Sequence, residues 1–175
     1  MKWRARAQLA ATVLVLGGCA STPPTLGETA WTTGRLSVRI EADADRAVRS
    51  VSAGFELRGD SHGGELRLNS PLGTRVASAR WAPGLAVLDD GRGEQAYDSL
   101  AALAQQALGE ALPLEALPDW LAGRPWAGAL HTAAAEGFTQ LGWQVDLSRL
   151  AEGWIELHRS SPPAVRVRVK LDDMP

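Results

Sequence analysis

Apolar and polar residues alternate along much of the chain beyond residue 34, and this alternation constrains the fold more than any other feature. A period of two places successive side chains on opposite faces of a β-strand, so it predicts strands with one buried face. The pattern is clearest at 165–171, where Val and Leu alternate with Arg and Lys. Gly, Pro and Asp separate the runs, which favours an antiparallel meander. The earlier runs contain Leu36, Val38 and Ile40; Val51, Ala53, Phe55 and Leu57; Leu66 and Leu68; and the segments 74–81 and 85–88.

The middle of the chain has helical spacing instead. We expect one helix with Asp98 as its N-cap and Gly109 as its stop, and a second short helix between Pro113 and Gly123. Amphipathic helices need an apolar surface to cover. The predicted fold is therefore mainly β with helices (α+β), a curved or barrel-like antiparallel sheet with a helical lid or plug. The two apolar stripes are Leu100, Leu103, Ala104, Ala107 and Leu108, and Leu114, Leu117, Trp120 and Leu121.

Strands are predicted to resume near Phe138 and to continue at 154–158. Tryptophan is unusually frequent, with seven residues against one Tyr and two Phe. These tryptophans fit an ordinary core, and together with the helix leucines they fit the lining of an apolar cavity equally well. The tryptophans of the mature chain that fit either role are Trp81, Trp120, Trp143 and Trp154. In the strand near Phe138 we expect Leu141, Trp143, Val145 and Leu147 on one face and Gln140, Gln144 and Asp146 on the other.

The first nineteen residues predict export and a lipid anchor. A basic start precedes a short apolar run at 9–16, and Leu-Gly-Gly-Cys closes the segment at Cys19. The apolar run is too short to span a bilayer. We interpret 1–18 as a cleaved lipoprotein signal peptide, 19–30 as the lipidated Cys19 with a flexible tether, and 31–175 as a single domain. Ala20, in place of Asp, favours sorting to the outer membrane, so we expect a lipid-anchored protein that faces the periplasm.

Composition and motifs exclude several classes of function. Without the three basic residues of the signal, 15 basic residues stand against 20 acidic ones, a charge of −5 that argues against nucleic acid as a partner. Cys19 is the only cysteine, and the three histidines are scattered, so we expect no metal site and no cofactor. The acidic pairs at 89–90 and 172–173 are typical of turns. No Ser lies in a nucleophile elbow, and we predict no catalytic residues and no enzymatic activity.

Four motifs follow one another behind the cysteine: WTTGRLSV at 31–38, NSPLG at 69–73, LPL with WLAGRP within 112–125, and FTQLGWQV at 138–145. In this order they resemble the outer-membrane lipoprotein receptor family LolB. The resemblance implies a half-open antiparallel β-barrel, closed by helices around an apolar cavity. It also implies a receptor that takes acylated lipoproteins from a soluble periplasmic carrier of the LolA type and inserts them into the inner leaflet of the outer membrane.

The same resemblance indicates which residues carry the function. The turn Pro71-Leu72-Gly73 would be a membrane insertion loop, with Leu72 entering the outer-membrane phospholipid. Leu72 packed under the next strand is the structural alternative. The expected partners are the LolA-like carrier, acylated lipoprotein cargo and phospholipid, and the protein is expected to be a monomer. Apolar residues expected to line the acyl-chain cavity are Leu36, Val38, Phe55, Leu57, Leu66, Leu68, Leu100, Leu103, Leu117, Trp120, Trp143 and Val145.

Three other functions remain open from the residues alone. A soluble periplasmic carrier of the same fold would need to diffuse and should lack the lipid at Cys19. A structural or assembly lipoprotein that binds only protein surfaces would have a filled core. A lipid-modifying enzyme would need a reactive Ser or His in the cavity. The basic face formed by Arg166, Arg168 and Lys170 fits either a solvated strand or a contact with acidic groups on the carrier.

Overall fold

The computed structural model describes residues 30–42, 47–108 and 112–173. Cys19, the predicted signal peptide, the tether up to residue 29 and the predicted stop at Gly109 lie outside the described residues. One antiparallel sheet and two α-helices make up the described fold, which confirms the α+β class. The strands are β1 Thr32–Ile40, β2 Arg49–Gly59, β3 Gly64–Asn69, β4 Arg75–Ala82, β5 Leu85–Asp89, β6 Glu94–Tyr97, β7 His131–Ala134, β8 Gly137–Gln140, β9 Trp143–Asp146, β10 Trp154–Arg159 and β11 Val165–Leu171.

The sheet has the strand order β6-β5-β4-β3-β2-β1-β11-β10-β9-β8-β7. Each half is a meander of consecutive strands, because short turns can join antiparallel neighbours. Pairing of β1 with β11 joins the two halves in the middle of the sheet. The outermost strands β6 and β7 do not pair with each other, so the sheet is open.

The register places apolar residues of the central strands on one face. Leu36 pairs with Ala53 on β2 and with Val169 on β11, whereas Arg35 pairs with Lys170 on the opposite face. On β11 the valines are buried, and Arg166 and Arg168 remain exposed. The alternation therefore predicted these strands and their orientation correctly.

The first helix, α1, spans Leu100–Leu108 and lies against β5 and β6. Its cap differs from the prediction, because the Ser99 hydroxyl, and not Asp98, accepts a hydrogen bond from the Ala102 amide at 3.1 Å. The second helix, α2, spans Leu117–Leu121 and ends as predicted before Gly123, which has a φ of +75°. No helix in the described part of the chain has the length and apolarity needed to cross a membrane.

The region 131–146 differs most from the sequence prediction. A turn at Leu141 and Gly142, with φ angles of 53° and 77°, divides the single predicted strand into β8 and β9. The predicted faces of two residues are therefore wrong: Gln140 is buried, with 1% exposure, and Leu141 is 47% exposed. Strands β6 and β7 were not predicted, because each has only four residues and both are almost entirely exposed, so neither shows a buried face.

Candidate functional site

A fully apolar pocket lies between the sheet and the segment that contains α2. It has a volume of about 100 Å³, and every residue that lines it is apolar. The sheet contributes residues of β1, β2, β3, β9, β10 and β11, and the helical side contributes residues 112–121. Nine residues expected in the cavity meet here: Leu36, Val38, Phe55, Leu57, Leu66, Leu68, Leu117, Trp120 and Trp143.

Curvature of the sheet brings these strands together. The six lining strands are consecutive neighbours, and at about 4.8 Å per strand the outer two would be about 24 Å apart in a flat sheet. Side chains from both outer strands reach one small pocket only if the sheet wraps around it. Neighbouring strands pack closely within this curved part of the sheet. A Cβ on Gly34, for example, would lie 2.9 Å from the Phe55 ring.

Trp120 fixes α2 against the far half of the sheet. Its indole Nε1 donates a hydrogen bond to Gln140 Oε1 at 2.8 Å, and its ring centre lies 6.4 Å from that of Phe138 and 6.5 Å from that of Trp143. The single polar atom of the indole is thus satisfied by a buried side chain, and the ring presents apolar atoms to the pocket. Burial of Trp120 against the sheet explains why an apolar residue occupies this position in the second predicted helix.

Three residues expected in the cavity lie elsewhere. Leu100 and Leu103 are buried on α1, which covers the β5–β6 side of the sheet, and Val145 is buried on β9 without reaching the pocket. Leu103 borders a second cavity of about 250 Å³, which shares Leu66, Leu68 and Leu114 with the first. Additional lining residues that the sequence reasoning did not assign to the cavity are Val51, Ala53, Leu112, Pro113, Leu114, Leu121, Leu157, Val167 and Val169. For the strand residues in this list, the apolar–polar alternation of β2, β10 and β11 already indicates an inward-facing side chain.

Leu72 stands at the tip of the β3–β4 turn, and its side chain is 93% exposed. The Gly73 amide donates to the Ser70 carbonyl at 2.9 Å, and the Ser70 amide donates to the Thr74 carbonyl at 2.8 Å. Pro71 and Gly73 occupy turn positions that suit their backbone preferences, and Gly73 has a φ of +81°. The turn is thus closed by its own hydrogen bonds, and Leu72 points away from the fold.

Charged groups lie on the outer face of the sheet, away from the pocket. Partial burial acts to raise the pKa of the Glu65 carboxyl, but hydrogen bonds from Arg67 and Arg58 outweigh it and hold that pKa below its ordinary value. Both guanidinium groups also lie over the Trp31 ring, 4.2 and 4.5 Å from its centre. Within the described ranges, no group of three His, Cys, Asp or Glu residues is placed to hold a metal ion.

Fold and site together define an α+β protein built around an apolar pocket. Residues 29–173 match the family model described as outer membrane lipoprotein LolB. An outer-membrane lipoprotein LolB of Bordetella parapertussis is 35% identical, over 98% of this chain and 92% of that protein. The protein of the same name from Chromobacterium violaceum is 33% identical, over 84% of each chain. The chain therefore belongs to the LolB family of outer-membrane lipoproteins, which confirms the predicted family and location.

Proposed function

We propose that this chain is an outer-membrane lipoprotein receptor. It accepts acylated lipoproteins from a soluble periplasmic carrier of the LolA type and inserts them into the inner leaflet of the outer membrane. The observation that carries the proposal is the apolar pocket between the sheet and α2, which has no polar lining residue. Family membership supports the location, since the relatives are named outer-membrane lipoproteins.

Physical chemistry requires such a pocket for this task. A C16 acyl chain exposed to water costs on the order of 12 kcal/mol, at about 0.8 kcal/mol per methylene. Transfer between two proteins therefore needs a second apolar site that receives the chain by direct contact. The lining residues of the pocket offer no group that would react with a lipid, which favours a binding protein over a lipid-modifying enzyme.

The pocket must widen when it takes up an acyl chain. A cavity of 150 Å³ binds benzene, so a chain of 16 carbons needs on the order of 400 Å³. The observed volume of about 100 Å³ is too small. In our proposal the open sheet acts as a half-open barrel, and the segment 112–121 acts as its lid and moves outwards on uptake.

Two further parts complete the proposed receptor. Cys19 carries the lipid anchor after cleavage of residues 1–18, and residues 20–30 form the tether. Leu72 enters the phospholipid and allows the cargo lipid to leave the pocket, which its exposed position supports. Mass spectrometry of the mature N-terminus tests the anchor: an acylated Cys19 is expected, whereas an unmodified chain would favour the soluble carrier.

A transfer assay tests the whole proposal. A labelled, acylated lipoprotein bound to the carrier is mixed with this protein without ATP, and the complexes are separated. Label should move to this protein, and then to outer-membrane vesicles when they are added. A fluorescent fatty-acyl probe provides the control for the rival assembly function, because a filled core would take up neither probe nor cargo.

A further inference from the structure

Leu130 is the most exposed of the large apolar side chains in the described structure, with 96% exposure. It lies immediately before β7, in the loop that follows α2. Leu72, the proposed insertion residue, is 93% exposed at a different turn. The described fold thus presents two fully exposed leucines on separate loops.

Hydrogen bonds with the buried Gln140 side chain hold the loop before Leu130 in place. Gln140 Nε2 donates to the carbonyls of Trp126 and Ala129, each at 2.7 Å, and Gln140 Oε1 accepts from the Trp126 amide at 2.9 Å. The Trp126 ring covers Gly128 so closely that a Cβ there would lie 2.2 Å from a ring atom. These contacts fix the backbone up to residue 129, so Leu130 is held in an outward position by the fold.

The chain segment around Leu130 carries no Asp, Glu, Lys or Arg. This segment runs from Pro125 to Ala135 and includes the edge strand β7, all four residues of which are exposed. Exposed edge strands usually carry charges that prevent association. The register pairs His131 with Gln140, which places Leu130 beside Leu141, itself 47% exposed in the next turn.

Leu130 and Leu72 lie at the same end of the strands. The β3–β4 turn follows Asn69, and the register of β3 with β2 directs it towards the end where β2 begins, at Arg49. The start of β7 lies at that end as well, by the successive antiparallel pairings from β2 to β7. Leu85 and Trp154 lie at the other end of the strands. The other six large exposed apolar residues of the described chain lie at the end of Leu72: Val48, Val51, Leu72, Val76, Leu130 and Leu141.

We propose that Leu130, with Leu141 beside it, is a second contact with the phospholipid bilayer and acts together with Leu72. The inference rests on the proposed function, because it takes Leu72 as the first contact. A protruding leucine in a segment without charged residues offers a protein partner no ion pair, whereas it fits the boundary between headgroups and acyl chains. One contact leaves the molecule free to pivot, and two contacts on different parts of the sheet restrict its tilt to rotation about the line that joins them.

Site-specific labels test the contact in the lipidated, full-length mature protein. Leu130→Cys, Leu72→Cys and Leu85→Cys each introduce one thiol, because the lipid occupies Cys19, and each thiol receives an environment-sensitive NBD fluorophore. Leu85 is the matched control, since it is 48% exposed at the opposite end. In phosphatidylethanolamine–phosphatidylglycerol vesicles, we expect labels at 130 and 72 to shift to the blue and to be quenched severalfold by nitroxide lipids, whereas the label at 85 stays in water.

Each outcome has a distinct meaning. A label at 130 that stays in water while the label at 72 enters the lipid overturns the second contact and leaves the proposed function intact. Labels that both stay in water overturn the insertion role of Leu72 as well. A shift at 130 that depends on protein concentration and occurs in detergent without vesicles identifies a second copy of the chain as the occupant, which also overturns the proposal.

A charge substitution gives an independent measurement. Leu130→Glu should slow the release of cargo into vesicles several-fold while uptake from the carrier is unchanged. Leu85→Glu is the control and should match the parent protein in both steps. Release by Leu130→Glu at the parent rate, in a variant that is folded by circular dichroism, would contradict a bilayer contact at this position.

Discussion

In the proposed receptor, Leu72 is the residue whose substitution should separate insertion from uptake most clearly. Its side chain touches neither the pocket nor the core, so Leu72→Glu should leave the fold and the uptake of cargo unchanged. A carboxylate at the tip resists entry into hydrocarbon by a few kcal/mol, and release into vesicles should fall at least tenfold. The measurement is a two-step assay with labelled cargo, first on the carrier and then with vesicles. Unchanged release would remove the insertion role.

Gln140 contributes to stability from a buried position, although its polar side chain led the sequence pattern to place it on the solvent face. Gln140→Leu would leave the Trp120 indole, the Trp126 amide and two carbonyls without their present partner. An unsatisfied buried group costs about 1–3 kcal/mol, and with some relaxation we expect a total loss of about 3 kcal/mol. The melting temperature should fall by roughly 10 °C. Gln144→Leu, on the exposed face of β9, is the control, and an equal loss in both variants would rule out this special role.

Glu65 should make stability depend on pH. Its pKa is lower in the folded protein than the ordinary value of 4.5, so its ion pairs stabilise fully above that value and are lost as the pH falls through the folded pKa. Glu65→Gln should therefore destabilise the protein at pH 7 by up to about 1 kcal/mol, the range of partly exposed pairs. Below the folded pKa the difference should disappear. Urea unfolding of both proteins at a series of pH values from 7 downwards provides the test, and a difference that is constant across the series would indicate a steric cause.

Among the helices and strands, α2 is the element that moves in the proposed uptake of an acyl chain. Its five residues and the turn that follows them are closed by backbone hydrogen bonds, such as that from the Gly123 amide to the Trp120 carbonyl at 3.0 Å, and amide exchange reports on the opening of these bonds. Binding of an acylated cargo should raise amide hydrogen exchange at 120–123 at least tenfold, whereas α1, which packs on the same face of the sheet against β5 and β6, should keep its protection. Exchange at 120–123 that stays unchanged or slows would contradict the outward movement of α2 on uptake.

The sequence predicts some of the strands and helices, together with their buried faces, better than others. Long strands with one buried face, such as β2 and β11, follow from alternation, because burial of that face gives the pattern its physical cause. The pattern assigned Leu141 to the core and Gln140 to the solvent, and the Leu141–Gly142 turn reverses both assignments. A buried glutamine satisfied by distant backbone groups leaves no periodic signal. Likewise, helical spacing indicated that α1 is buried, but not that its leucines lie on the side of β5 and away from the pocket.

In the proposed receptor, the position of β1 decides how far Leu72 lies from the point where the tether to Cys19 joins the fold. Trp31, where the described fold begins, lies at the end of the sheet opposite the Leu72 turn, and Arg58 and Arg67 hold its ring on the outer face. The nine residues of β1 span about 30 Å between these ends. The twelve steps from Cys19 to Trp31 can reach at most about 40 Å. Twelve steps are therefore long enough for Leu72 to meet the membrane that holds the proposed lipid anchor.

Shortening the tether should separate anchoring from insertion. Deletion of residues 22–27 leaves six steps and a reach of about 20 Å, less than the length of β1. The variant should remain lipidated and take up cargo from the carrier at the parent rate, because the pocket is untouched, but release into its own membrane should fall several-fold. Replacing the same six residues with a Gly-Ser sequence of equal length is the control and should restore release, since reach depends on length rather than side chains. If the deletion and the replacement release cargo equally well, the end of the molecule that carries Leu72 is not the end that must reach the anchoring bilayer.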